Sequence, residues 1–195
     1  RQGVLMARSV EFGRRYNVPI IVKSTFTNNK GTVVKEKTME EAIVSGVTHN
    51  DKEVKFTLFG VPDQPGIAGT VFGSLSEIGT NVDMIVQNVS KESITDISFT
   101  APSEQQKDVE DALKNISKQL DAKGYDVDEN IARISIIGAG MKSESGVASK
   151  MFKTLGDNKI NISMISTSPI RVSCVISSND IEKALNVLHE EFITN

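Results

Sequence analysis

Residues 66–85 read GIAGTVFGSLSEIGTNVDMI, and residues 146–165 read GVASKMFKTLGDNKINISMI. At a fixed offset of 80, Gly66, Ala68, Phe72, Leu75, Asn81, Met84 and Ile85 recur as Gly146, Ala148, Phe152, Leu155, Asn161, Met164 and Ile165. Conservative pairs fall between them: Ile67 with Val147, Glu77 with Asp157, Val82 with Ile162. A match of this kind at one offset marks a duplicated structural unit. In the first copy Ile67, Ala68, Val71, Phe72, Leu75 and Ile78 keep helical spacing.

Reading outward, the first copy has a strand at 54–60, a helix at 65–78 and strands at 81–89 and 94–100. The polar turn Ser90-Lys91-Glu92-Ser93 divides those two strands. An amphipathic helix at 104–122 carries Val109, Leu113, Ile116 and Leu120, and a short strand follows at 125–128. The second copy gives a strand at 132–138, a helix at 146–155, strands at 161–167 and 171–177, and a helix at 180–192. The first copy has the ferredoxin-like order βαββαβ. The second lacks its fourth strand, while a strand expected at 42–49 has no place in the first. An open sheet edge leaves backbone groups unpaired, so 42–49 is expected to cross over and complete the second sheet. The expected fold class is therefore α+β, with two ferredoxin-like βαββαβ domains. The first, 53–130, is inserted in the second, 42–50 plus 131–195. Upstream, 4–16 reads as a helix stopped by Asn17-Val18-Pro19, 20–26 as a strand and 27–32 as a loop.

Composition narrows the function. Of 195 residues, 38% are hydrophobic and 24% charged, with a formal net charge of −3, as in a soluble globular protein. No basic patch is present, and the aromatic stacking platform of a nucleic-acid-binding ferredoxin-like domain is missing, so nucleic acid is not the expected partner. No apolar run approaches the roughly 20 residues of a membrane span. One cysteine, Cys174, cannot form an internal disulfide. Its apolar neighbours make it a packing residue, and a reducing cytoplasm is the expected compartment. His49 and His189 have no Cys or Asp at ligand spacing, so no metal site is expected. A chain opening on Arg1 rather than Met is expected to be a fragment or a processed product.

Several motifs resemble one family. Gly60-Val61-Pro62-Asp63-Gln64-Pro65-Gly66-Ile67-Ala68 looks like the opening loop of an ACT domain, the βαββαβ module that senses amino acids. Asn81 through Ser90, Ile137 through Ser143 and Asn161 through Ser168 resemble the regulatory region of aspartate kinases. Ala7–Glu11 and Tyr16–Ile20 resemble the end of that family's kinase domain, which makes 1–41 a remnant of that domain and its linker. The resemblance implies a regulatory ACT pair that binds lysine, threonine or both for feedback inhibition. It also implies a homodimer or an assembly with full-length kinase subunits. The family's catalytic domain uses ATP and Mg to phosphorylate aspartate. No glycine-rich phosphate loop with a partner lysine occurs here, so no catalytic residue and no cofactor is expected in this chain.

An amino-acid zwitterion needs donors for its carboxylate and acceptors for its ammonium. The turn Gln64-Pro65-Gly66 enters a helix whose first N–H groups, at Gly66, Ile67 and Ala68, make an anion site. Asp63 serves either as the helix cap or as the ammonium acceptor. Gln87, on the next strand, can donate and accept; by pattern alone it is a solvated polar residue. By resemblance Asp63, Gly66, Ile67, Ala68, Gln87, Asn161 and Ile162 contact the effector, although Asn161 also suits a plain turn. Asp83, Ser90, Gly146, Val147, Ala148, Ser166, Thr167 and Ser168 are candidates for a second site or a coupling surface. The second loop, Met141–Gly146, lacks the Asp-x-Pro-Gly sequence. Asp83 or Asp96 would suit a lysine ammonium. The competing reading is a structural subunit that assembles with the full-length kinase and binds no effector.

Overall fold

Alternation in Val54, Phe56 and Leu58, against Glu53, Lys55 and Thr57, makes a strand with one apolar face, and the fold grows from strands of this kind. The structure, a computed structural model, describes residues 5–27, 29–34, 43–89, 93–142 and 144–194. It divides into two units, Arg1–Glu41 and Ala42–Asn195.

The first unit holds helix α1 (Ala7–Arg15) and the antiparallel strands β1 (Ile20–Val22) and β2 (Thr32–Val34). Phe12 and Tyr16 stack on α1 with ring centroids 6.1 Å apart. Strand β1 is shorter than the expected 20–26. Thr32, expected to close the loop 27–32, instead begins a strand with Val33 and Val34, as their β-branched composition favours. Val4 lies outside the described residues.

The second unit is α+β, with two four-stranded antiparallel sheets. Its elements are β3 (Gly46–Asn50), β4 (Glu53–Pro62), α2 (Ile67–Glu77), β5 (Ile85–Val89), β6 (Ile94–Pro102), α3 (Gln106–Gln119), β7 (Gly124–Asp128), β8 (Ile131–Ile137), α4 (Val147–Asp157), β9 (Met164–Ser168), β10 (Arg171–Ser177) and α5 (Ile181–His189). One sheet has the order β5-β6-β4-β7 and the other β3-β8-β10-β9. Strand β3 pairs with β8, from Gly46 opposite Ile137 to Asn50 opposite Arg133. The strand expected at 42–49 thus occupies 46–50, and Ala42 lies outside the described residues.

Each sheet carries helices on one face. Phe56, Leu58, Ile97 and Phe99 pack against Val71, Leu75, Val109 and Leu113, with Phe56 stacked on Phe99 at 5.3 Å and Phe72 edge-on to it at 5.7 Å. In the other sheet Ile134, Ile136, Cys174 and Ile176 pack against Met151, Leu155, Ala184 and Leu188. A third cluster, Met84, Ile131, Met164 and Val175, joins the two sheets on the faces away from the helices. There Thr57 and Ser98 share a hydrogen bond (3.0 Å), as do Ser135 and Ser173 (2.8 Å). Burial pushes the Cys174 thiol up to about 12, as expected of a packing cysteine.

Two expected strands start late. Asn81–Met84 precedes β5, and Asn161–Ser163 precedes β9. Both segments are instead tied to the neighbouring strand, Asp83 N–H to Thr100 O (3.1 Å) and Ser163 N–H to Val175 O (2.8 Å). The last helix ends at His189, and a wider turn continues over Glu190–Thr194. Among the described residues no helix is long and apolar enough to cross a membrane.

Leu75 and Leu155 occupy repeat-equivalent places and are fully buried. Leu75→Ala and Leu155→Ala should each lower unfolding free energy by about 2–5 kcal/mol, read from urea denaturation. A loss near zero at either position would contradict the packing described.

Candidate functional site

Gly66 caps α2 at φ 95° and ψ −13°, and Gly146 caps α4 at φ 99° and ψ −9°. Side chains rarely adopt this conformation, which explains why both glycines recur in the repeat. The first helical bonds are Thr70 N–H to Gly66 O (3.0 Å) and Lys150 N–H to Gly146 O (2.8 Å). Amides of Ala68 and Gly69, and of Ala148 and Ser149, precede those bonds and are first-turn donors without an intrahelical acceptor. Ala68 and Gly66 are exposed and Ile67 half-buried.

Among the described residues no side chain accepts from the first-turn amides of α2, so Asp63 does not cap it. Its own N–H donates to Ser93 O (2.8 Å), which ties the loop to the residue before β6, and Asp63 itself is half-buried. Gln87 lies opposite Ile97 in the register of β5 and β6. Ile97 belongs to the helix-side core, and directly opposed residues share a face. Gln87 is therefore on the face that carries α2, on the sheet's edge strand, and is exposed. Strand β4 ends at Pro62 opposite Ile94, and β5 ends at Val89 opposite Thr95. Asp63, Gly66, Ile67 and Ala68 thus follow the end of β4, and Gln87 lies on the helix-bearing face two residues before β5 stops at that same end of the sheet. Amide donors for a carboxylate, a carboxylate for an ammonium and a bifunctional amide suit a small zwitterion.

The second copy is built alike with different chemistry. Gly146, Val147 and Ala148 open α4, and Thr167 opposes Val172 on the helix side of β9, in the place of Gln87. Ser166 and Ser168 point to the other face, and all three side chains are exposed. Asn161 is exposed, while Ile162 packs into the second core. Ser90 lies outside the described residues. Asp96 accepts the Gly60 N–H (2.8 Å) at the bulge in β4, so it is committed to the backbone.

Asp83 does not join the α2 group. It pairs with Arg133 Nη2 across the two sheets (2.5 Å), and the same nitrogen donates to Glu53 Oε1 (2.6 Å). Asn50 Nδ2 also donates to Glu53 Oε1 (2.6 Å). Glu53 is 5% exposed at its side chain, Arg133 11% and Asp83 43%. Glu53 Oε2 and Arg133 Nε have no hydrogen-bond partner among the described residues.

Two stretches match two family models, each described as an ACT domain, over residues 55–121 and residues 134–192. The chain is 44% identical over 192 residues to the aspartate kinase of Pseudomonas fluorescens, covering 97% of this chain and 46% of that protein. It matches a crystal structure of aspartokinase alpha and beta subunits with a TM-score of 0.72 and 38% identity, over 76% of this chain and 98% of the matched one. The ligand-free regulatory subunit of aspartate kinase from Thermus thermophilus matches with a TM-score of 0.73 and 35% identity, over 77% and 99%. This chain belongs to the aspartate kinase family, as an ACT-domain regulatory region. It spans about half the length of the curated relatives it matches.

In this aspartate kinase regulatory region the sequence reading missed Glu53 and Arg133. The available signal was a charge inside an apolar strand: Arg133 stands between Ala132 and Ile134. Burial holds the Glu53 carboxyl above its ordinary range; Arg133 beside it opposes the rise, and the Asp83 carboxylate adds to it. Native Glu53 therefore keeps its proton to higher pH than the unfolded chain does. Between those two pKa values the native state binds more protons, and this contribution to stability falls as pH rises.

Two outcomes follow from these geometries. The stability of the native chain minus that of Glu53→Gln should decrease as pH is raised from about 4 toward neutrality, in paired urea titrations; a flat or rising difference contradicts the burial account. At the two helix starts, an added Cβ meets nothing within 4 Å, so Gly66→Ala and Gly146→Ala should cost only backbone strain, about 1–3 kcal/mol each. Thermal unfolding measures that cost, and unchanged midpoints would refute the left-handed conformation.

Proposed function

We propose that this chain is the amino-acid sensor of an aspartate kinase and that its effector is lysine, threonine or both. On this reading the first ACT domain, 53–130, is inserted in the second, 42–50 plus 131–195. Residues 1–41 are the end of the kinase domain and its linker. The observation that carries the reading is the start of α2: the Ala68 and Gly69 amides, without an acceptor among the described residues, after a left-handed glycine, with Asp63 just before it and Gln87 on the same sheet face. The effector carboxylate lies at the amides, where the helix dipole favours an anion. Its ammonium meets Asp63, and its side chain reaches Gln87. The second copy offers amides and Thr167, and serves as a weaker site or a coupling surface.

Binding favours one arrangement of the ACT pair and so biases the kinase domain. The catalytic step, transfer of the ATP γ-phosphate to aspartate with Mg, belongs to the part of the relatives with which this chain does not align. Strands β5 and β9 are sheet edges, and Ile85 and Ile165 on them are 50% and 43% exposed. These edges support self-association or assembly with full-length kinase subunits in the cytoplasm.

Isothermal titration with lysine and threonine, separately and together, tests the sensor. Saturable heat should appear with at least one of them, and Gln87→Ala should weaken that binding at least tenfold, about 1.4 kcal/mol. No heat from a folded chain would sink the sensor reading in favour of a structural subunit.

A further inference from the structure

The two sheets are joined by an interrupted ribbon. Strand β3 runs into β4 through Asp51-Lys52, and β7 runs into β8 through Glu129-Asn130. Strands β4 and β7 are neighbours in one sheet, with Lys55 opposite Asp128, and β3 and β8 are neighbours in the other, with Asn50 opposite Arg133. Two adjacent antiparallel strands therefore pass from one sheet to the other, with two-residue breaks at 51–52 and 129–130 staggered between the pairs Asn50–Arg133 and Lys55–Asp128. Ladder hydrogen bonds resist bending everywhere else along this ribbon, so its break is the compliant place.

Side chains reach across that break. Arg133, on the far side, donates to Glu53, the first residue of β4. Asn50, the last residue of β3, donates to the same carboxylate oxygen. Asp83 arrives from outside the ribbon, on the connection between α2 and β5, and takes the same guanidinium nitrogen. The repeat breaks its symmetry here. Ser163, 80 residues after Asp83, donates to Val175 O of its own sheet (3.2 Å). Lys55, which matches Arg133 by register, pairs with Asp128 of its own sheet (3.8 Å). In each of these pairs one copy closes on itself and the other reaches over.

We infer that the break at 51–52 and 129–130 is a hinge between the two sheets, and that Arg133 is the positioning residue that sets its angle. Glu53 is the buried, fixed half of the clasp. Asp83, much more exposed, is the releasable half. The Met84, Ile131, Met164 and Val175 cluster is the surface over which the sheets turn. Asp83 belongs to the segment that links α2 to the strand carrying Gln87, so a ligand that draws the start of α2 and β5 together acts on the clasp directly. That last step rests on the sensor reading; the hinge itself does not.

Paired spin labels decide it. Lys107→Cys on α3 and Glu182→Cys on α5 are exposed sites, one over each sheet, while Cys174, fully buried with a raised thiol pKa, stays unlabelled. Electron–electron distance distributions are recorded without ligand for the labelled chain, Asp83→Asn and Arg133→Met. A shifted or broadened distribution in Asp83→Asn, with its unfolding midpoint unchanged, is expected. Arg133→Met should move it further. Should Arg133→Met fail to fold, the half-exposed Asp83→Asn still answers. A distribution unchanged in position and width in Asp83→Asn overturns the clasp. Adding whichever of lysine and threonine gives heat should narrow the native distribution and leave that of Asp83→Asn unchanged; equal narrowing in both separates the clasp from the sensor and overturns the coupling. If neither amino acid binds, the sensor reading falls, while the ligand-free comparison still decides the hinge.

Discussion

Strand β8 has a neighbour on each side only because a segment from before the first sheet pairs with it. Backbone donors and acceptors at a sheet edge need partners, and β3 supplies them for β8. Much else follows from that pairing. The strands β4 to β7 of the first sheet lie in sequence between β3 and β8 of the second. The pairing places both crossings on adjacent strands. It also turns the helix-free faces toward the shared cluster of Met84, Ile131, Met164 and Val175. Two independent repeats strung in sequence would have needed only one connection and no shared ribbon.

The charges at that crossing are not explained by stability. A carboxylate removed from water loses hydration that a single ion pair rarely restores in full. The upward shift of Glu53, with Arg133 in contact, says that burial outweighs attraction here. Oxygen Oε2 of Glu53 and nitrogen Nε of Arg133 are further left without partners among the described residues. An apolar pair would pack the same place at lower cost. What an apolar pair lacks is direction: guanidinium and carboxylates fix an angle between the sheets, and hydrocarbon does not.

The sequence made the repeat legible because its identities have separate physical causes that recur in both copies. Gly66 and Gly146 recur because both helix starts need a left-handed residue. Leu75 and Leu155 recur because each fills its own sheet-helix core. Met84 and Met164 recur for a third reason, since both pack between the sheets. Periodicity placed the helices and the central strands, and a missing strand pointed to β3. The helix start at Gly66 was legible through the motif, while the placing of Gln87 on the helix side needed the register of β5 with β6. Glu53 and Arg133 were not legible, because their meeting depends on how two sheets join, and no local pattern encodes that. The late starts of β5 and β9 were missed for a similar reason. Asn81 and Asp83 are residue types that strands disfavour, and the hydrogen bonds that hold Asn81–Met84 run to Thr100 on another strand.

The duplication also shows where the two copies part in chemistry. The offset of 80 carries Gly66 and Ala68 to identical residues but carries Gln87 to Thr167 and Asp63 to Ser143. Backbone features survived, because a left-handed glycine and a helix start are required by the fold itself. Side chains that could recognise a ligand did not. Losing a carboxylate removes the acceptor for an ammonium, and a threonine hydroxyl reaches less far than a glutamine amide. Asp83 follows the same division, since its counterpart Ser163 bonds within its own sheet. The first copy thus concentrates both the groups suited to a zwitterion and the carboxylate that reaches across the ribbon. The second supplies the arginine on which that carboxylate acts.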